Sequence, residues 1–227
     1  MAQEKPALPA NSPDEILRRA ATHDLVDIHA IIPGIVVEQP YTTAKNVTKH
    51  VLYPPDIPCL LNKSTAEKLL KASQILKRRD LKLKIWDAWR PLEVQYALYI
   101  NSGPNGYVSD PRFQGSQHNS GTAVDVTLTD IYGNELAMPS AFDDFSKQAS
   151  FHYQGSDKNI ARRLDLLQDA MTQAGFGLLD VEWWHFYDKE FHDASKRVNV
   201  RGTDIGLKMP KYVMECEALG LRPPKKK

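Results

Sequence analysis

Cysteine is scarce in this 227-residue chain: Cys59 and Cys216 stand far apart, and neither lies in a CxxC spacing. That argues against a disulfide framework or a thiolate metal site and leaves two packed thiols. An excess of charge of one sign is lacking too. The 29 Lys and Arg against 28 Asp and Glu give a formal charge of +1, which exerts no pull towards nucleic acid or anionic lipid. The expected partner is a small substrate or peptide, with no nucleic acid and no membrane. No apolar run has the length of a membrane span, and Met1-Ala2-Gln3-Glu4-Lys5-Pro6 has no signal-peptide core. The expected location is the cytoplasm, or the periplasm if a signal peptide has been removed. GxGxxG, P-loop and nucleophile-elbow motifs are missing, so nucleotide and serine-hydrolase chemistry has no footing.

What is present is an ordinary globular composition, 42% hydrophobic and 25% charged, in a length suited to one domain with a real core. Residues 1–11 read as a loose segment, 12–222 as the domain and 223–227 as a basic tail. Ser12-Pro13-Asp14-Glu15 has the form of a capping box with proline at the first helical position, opening a helix to about Ala21. Leu25 to Ile28 reads as a short strand, broken at Pro33-Gly34 and followed by irregular chain to Pro58. Ser64-Thr65-Ala66-Glu67 repeats the capping signature before an apolar stripe at Ala66, Leu69, Leu70, Ser73 and Leu76. Alternation of Leu81, Leu83 and Ile85 with lysines predicts a half-buried strand delivering Asp87-Ala88-Trp89-Arg90-Pro91, then a helix from Leu92 to Ile100. A Gly/Ser/Asn/Pro-rich loop spans Asn101 to Gly121, and a strand follows from Ala123 to Leu128. Ile160, Leu164, Leu167 and Met171 mark a helix closed by Gly175, Glu182 to Tyr187 reads as an aromatic strand, and a short helix precedes the tail. Dispersed strands and helices without strict β-α alternation predict an α+β fold.

The chemistry concentrates in two segments, Ser116-Gln117-His118-Asn119-Ser120-Gly121-Thr122-Ala123-Val124-Asp125 and Glu182-Trp183-Trp184-His185. His118, Asp125 and His185 are ligands of the type zinc takes; three of them leave one position for water, whose proton a nearby carboxylate such as Glu182 can accept. Taken singly, each has an ordinary alternative: a loop hydrogen-bond donor, a turn residue, a core imidazole. Together they weigh more, because Asp125 on an otherwise apolar strand is costly to bury without a cation or several hydrogen bonds. Residues three apart face opposite sides of a regular strand, so Glu182 is expected at the strand entrance on a bulged backbone, with His185 inside. His23, His29, His50, His152 and His192 lack ligand-like spacing, and Trp86, Trp89, Trp183 and Trp184 read chiefly as core.

These motifs resemble the zinc D-alanyl-D-alanine dipeptidases of the vancomycin-resistance type, relatives of the D-Ala-D-Ala carboxypeptidases and the hedgehog domain. Ser-x-His-x-x-Gly-x-Ala-x-Asp is met by Ser116, His118, Gly121, Ala123 and Asp125, Glu-Trp-Trp-His by Glu182 to His185, and a strand-end Trp-Arg-Pro by Trp89-Arg90-Pro91. The resemblance runs from about Asp24 to Asp188. It implies a single domain with a central, mainly antiparallel sheet flanked by helices around one Zn²⁺, held by His118, Asp125 and His185. It also implies Glu182 as general base, Arg90 as stabiliser of the tetrahedral intermediate, and Tyr41, Ser116 and Asp143 as contacts for a small D,D-dipeptide. Asp144 stands beside Asp143 as a competing candidate, and Asn119-Ser120 departs from the Ser-Arg of the resistance-type enzymes. The implied reaction is hydrolysis of D-alanyl-D-alanine in cell-wall precursor or peptidoglycan metabolism. A zinc carboxypeptidase or endopeptidase on peptidoglycan peptides, and a non-catalytic hedgehog-like binding domain, are the alternatives.

Overall fold

A Ser12 hydroxyl that accepts from the Glu15 amide at 3.3 Å starts the first helix, α1 (Pro13–Ala21). The computed structural model describes residue 9, residues 11–102 and residues 107–221; most of the segment 1–11 and all of the tail 223–227 lie outside them. Glu15 does not complete the capping box. Its carboxylate instead takes Arg18 and Arg19 at 2.7–2.9 Å, because two guanidinium groups one turn on outcompete a single backbone amide.

Strand β1 (Leu25–Asp27) leads directly into a one-turn helix, α2 (Ile28–Ile31), capped by Asp27. The irregular segment that follows still contributes a short strand, β2 (Val36–Val37). Next come β3 (Leu60–Asn62) and α3 (Lys63–Lys77). The cap of α3 is Asn62, whose Oδ1 accepts from the Ser64 amide at 3.1 Å, so the helix begins earlier than the Ser64 signature predicts. Thr65, in the first turn, donates its hydroxyl to Asp188 at 2.9 Å.

The remaining elements are β4 (Lys82–Asp87), α4 (Leu92–Ser102), β5 (Ala123–Thr129), α5 (Lys158–Ala174), β6 (Phe176–Leu179), β7 (Glu182–Asp188) and α6 (Lys211–Gly220). Five strands form one sheet in the order β2-β4-β5-β7-β6; β2 joins parallel and every other pair is antiparallel. β1 and β3 form a separate antiparallel pair. The α+β expectation, with its mainly antiparallel sheet in a single domain, holds. No helix among the described residues is long and apolar enough to cross a membrane.

Two apolar clusters form the core, one built on the five-stranded sheet and one outside it. Val124, Val126 and Leu128 of β5 pack with Leu69 and Leu76 of α3 and Leu164, Leu167 and Met171 of α5. Trp89, Tyr53, Val94, Leu98 and Val213 gather in the second cluster with α1, α4 and α6. β4 is buried from Leu83 onward rather than half-buried, because it lies inside the sheet between β2 and β5. Lys84 survives there by running its aliphatic stem over apolar surface and pairing its ammonium with Glu38 and with Glu135 at 2.8 Å.

One row of cross-strand neighbours matters most. Asp87 of β4 stands opposite Asp125 of β5, and Asp125 opposite His185 of β7. Directly opposed residues have Cβ atoms about 4.5–5.5 Å apart. Sheet register alone therefore brings three polar side chains from distant sequence together, on the face turned away from Val124 and Val126.

Candidate metal and active site

The loop bearing His118 is locked by its own side chains. Ser116 caps a single 3-10 turn, Gln117–Ser120, its hydroxyl accepting from the His118 amide at 3.3 Å. Asn119 closes the box by accepting from the Ser116 amide at 2.7 Å. The turn ends at Gly121, whose φ is +67°; a Cβ there would lie 2.6 Å from a Leu25 methyl and 2.8 Å from the Asn62 amide. No other residue fits that position without displacing the β1–β3 pair.

Two further bonds tie this loop to the end of β4. The Arg90 amide donates to the His118 carbonyl at 3.0 Å, and the Asn119 side chain donates to the Arg90 carbonyl at 2.8 Å. His118 Nδ1 lies 2.7 Å from the Ala88 carbonyl. That oxygen can only accept, so Nδ1 carries the hydrogen and Nε2 presents a bare lone pair.

That lone pair meets two others. His118 Nε2 is 3.1 Å from His185 Nδ1 and 3.3 Å from Asp125 Oδ1, and the last two are 3.0 Å apart. All three residues are buried. Ligands at zinc's usual bond length of about 2.0–2.1 Å in a tetrahedron lie about 3.3–3.4 Å from one another. The triangle has nearly those edges, and its donors are two imidazoles and a carboxylate, so the set fits a small divalent cation of zinc's kind. Burial by itself would raise the Asp125 carboxyl. The charges of His118 and His185 and their hydrogen bonds overcome it and hold the group well below the usual range.

Glu182 is the first residue of β7, and the pleat is broken beside it. Leu178 of β6 stands opposite Phe186, whereas the next residue, Leu179, stands opposite Glu182. The surplus residues form a bulge that turns Glu182 to the same side as His185, with Oε2 3.9 Å from Nδ1. Glu182 is therefore beside the triangle and outside it. Burial pushes its carboxyl up to about 7, with the His185 charge opposing.

Arg90 is buried and held by several partners. Asp87 Oδ2 takes its Nε at 2.8 Å and Nη2 at 2.7 Å, Gln95 takes Nη1 at 2.9 Å, and Asp125 Oδ2 lies 3.8 Å from Nη2. Asp87 also accepts from the Tyr53 hydroxyl at 2.6 Å. Burial would lower the guanidinium pKa, but Asp87 and the other anionic neighbours hold it well above normal, so the charge is permanent. Tyr41 is buried beneath the guanidinium, 5.7 Å from ring centre to Cζ, and donates to both oxygens of Asp143 at 3.0–3.1 Å. Asp143 sits in the left-handed region, φ 57°. Burial pushes its carboxyl up to about 7. Asp144 instead bonds the Ser146 amide at 3.0 Å in a turn.

A cavity of about 380 Å³ brings these groups to one place: Tyr41, Arg90, Ser116, His118, Asp125, Asp143, Glu182 and His185 all line it. So do Gln95, His192 and Arg197, which sequence reasoning did not assign to the site. Nor did it find Asp87, Tyr53 or Asn119 as supports for Arg90 and the His118 loop. Asp87 carried a faint signal, standing three residues before Arg90 at a strand end. Tyr53, at the end of an irregular stretch, carried none.

The sequence has counterparts among known proteins. Residues 21–200, which include every lining residue just named, match a peptidase family described as D-ala-D-ala dipeptidase. A D-alanyl-D-alanine dipeptidase of Escherichia coli (strain K12) is 36% identical over 73% of this chain and 84% of its own length. One of Enterococcus faecium is 29% identical over 53% of this chain and 69% of its own length. One of Synechocystis sp. is 34% identical over 30% of this chain and 32% of its own length.

Proposed function

The chain belongs to the D-Ala-D-Ala dipeptidase family, and we propose that it is a zinc enzyme that hydrolyses free D-alanyl-D-alanine to two D-alanines. The observation that carries this reading is the buried triangle of His118 Nε2, Asp125 Oδ1 and His185 Nδ1, with edges of 3.0–3.3 Å and a second carboxylate, that of Glu182, beside it. Those three residues would hold the ion. The chemistry it supplies when bound is a lowered pKa for water, to about 7, and polarisation of a carbonyl oxygen.

The chain's own residues do the rest. Glu182, its affinity for a proton raised by burial, accepts the proton of the attacking water and returns it to the leaving amine. Arg90, held rigid by Asp87 and Gln95, faces the cavity with a permanent charge. It stabilises the oxygen on which negative charge develops, without having to reorganise. Asp143, steadied by the Tyr41 hydroxyl, receives the substrate's ammonium, and Ser116 at the capped turn contacts the dipeptide from the wall. A longer or blocked peptide would place an amide nitrogen against Asp143 and leave a buried carboxylate unpaired. Such a reaction serves cell-wall precursor or peptidoglycan turnover metabolism.

The direct test is release of D-alanine from the free dipeptide. It is expected to occur, to stop when the protein is treated with a chelator and to return with added Zn²⁺. Failure to release D-alanine refutes the substrate; release indifferent to the chelator refutes the metal.

The specificity for a free N-terminus has its own test. Asp143→Asn is expected to raise KM for the free dipeptide about tenfold or more, while changing KM for an N-acetylated analogue far less. Equal changes on both would remove the assignment. In the unsubstituted protein Asp143 is ionised above its pKa of about 7 and neutral below it. KM for the free dipeptide should therefore rise as pH falls through 7, and that rise should be blunted in Asp143→Asn.

A further inference from the structure

A free dipeptide carries two charges, and the groups assigned so far answer only one of them. With its ammonium at Asp143, the C-terminal carboxylate needs a cation elsewhere in the same cavity. Among the described residues, two arginines line that cavity, Arg90 and Arg197. Arg90 already gives three of its N–H groups to Asp87 and Gln95 and is assigned to the oxygen that becomes negative in the reaction.

Arg197 is in the opposite state. Its Nε is buried without a hydrogen-bond partner, and among the described residues no close ion pair engages its guanidinium. Burial lowers its pKa, and Asp193 only partly offsets that. Arg197 as a whole is only half-buried, but a buried N–H without a partner is unfavourable in a folded protein unless a ligand or water completes it. Arg197 also lines a neighbouring cavity of about 610 Å³. The acid there that makes a close ion pair, Glu190, gives it to Lys68 at 2.9 Å.

The backbone around Arg197 is fixed to the catalytic loop. Asp193 caps the 3-10 turn Ala194–Lys196, and the Arg197 amide closes it on the Ala194 carbonyl. Three residues on, the Val200 amide donates to the Asn119 carbonyl at 2.8 Å, and Asn119 is the residue that also holds Arg90. The segment is thus built on the same scaffold as His118.

Building on the dipeptidase reading, we infer that Arg197 binds the C-terminal carboxylate of the substrate, so that Asp143 and Arg197 together select a free zwitterionic dipeptide. A guanidinium fork matches a carboxylate in a bidentate manner. Filling Nε in that way also satisfies the atom left bare in the free protein.

The test compares free D-Ala-D-Ala with D-Ala-D-alaninamide, which lacks the carboxylate. Arg197→Ala is expected to lower kcat/KM for the free dipeptide about 10- to 100-fold, chiefly through KM. For the amide the loss should be under about threefold. Where turnover of the amide is too slow to follow, its inhibition constant against the free dipeptide reads the same comparison. Arg197→Lys should recover part of the loss, and thermal unfolding of both variants verifies that they fold. Equal losses on both compounds, or none on the free dipeptide, overturn the inference. A parent protein that leaves the free dipeptide intact instead refutes the dipeptidase reading on which it rests, and the two failures are told apart by that first measurement.

Discussion

Glu182→Gln is expected to lose turnover by about 10²–10⁴-fold while each chain retains its full complement of metal. The loss follows from the usual contribution of a positioned general base, and the retention follows from geometry. The Glu182 carboxylate lies 3.9 Å from the nearest triangle atom, whereas the three ligand atoms are 3.0–3.3 Å from each other. Removing a group outside the triangle leaves the triangle intact. Glutamine preserves the shape and the bulge at the start of β7, so folding should be spared. Elemental analysis and steady-state kinetics on the same preparation check both halves. Activity above about a tenth of the parent would place the base elsewhere, and lost metal would make Glu182 a ligand.

Asp125→Ala should do the converse and lose metal first. Asp125 would contribute one of three ligand atoms, and its carboxylate is the negative charge nearest to the two imidazole nitrogens that face each other 3.1 Å apart. Zinc per chain should fall from about one to a small fraction, with activity falling by at least the same factor; His118→Ala should behave alike. Binding to the folded state alone stabilises it by RT ln(1 + [L]/Kd), about 4 kcal/mol at a thousandfold excess over Kd. Chelation should therefore lower the melting temperature of the parent protein and leave that of Asp125→Ala nearly unmoved. A variant that keeps stoichiometric zinc and a chelator-sensitive melting temperature would show that the ion sits elsewhere.

The contrast between these two results is stronger than either alone. A merely structural role for Glu182 and Asp125 predicts that both variants lose stability and activity together. The proposed division predicts that one loses chemistry with metal retained and the other loses metal.

Much of the arrangement could be read before any coordinates. The capped start of α1, the strand carrying Asp125 and the closure of α5 at Gly175 depend on residues within a few positions of one another, and each formed as expected. The bulge at Glu182 was also foreseeable, since two groups three apart cannot share a face of a regular strand. Local competition was harder to judge. Glu15 chose two arginines over its own cap, and Asn62 started α3 ahead of the Ser64 signature. Both outcomes turn on which partner happens to be nearest in space.

Which elements could form, and which side chains could bear the chemistry, followed from amino-acid order alone, because caps, periodicity and ligand type are properties of short stretches of chain. The pairing that sets Asp87, Asp125 and His185 in one row, the contact of Asp143 with Tyr41 while Asp144 stays in a turn, and the contrast between a well-paired Arg90 and the bare Nε of Arg197 were decided only by the tertiary structure. Sheet register and the balance of buried charge are relations between segments many residues apart. No stretch of sequence contains both halves of such a relation.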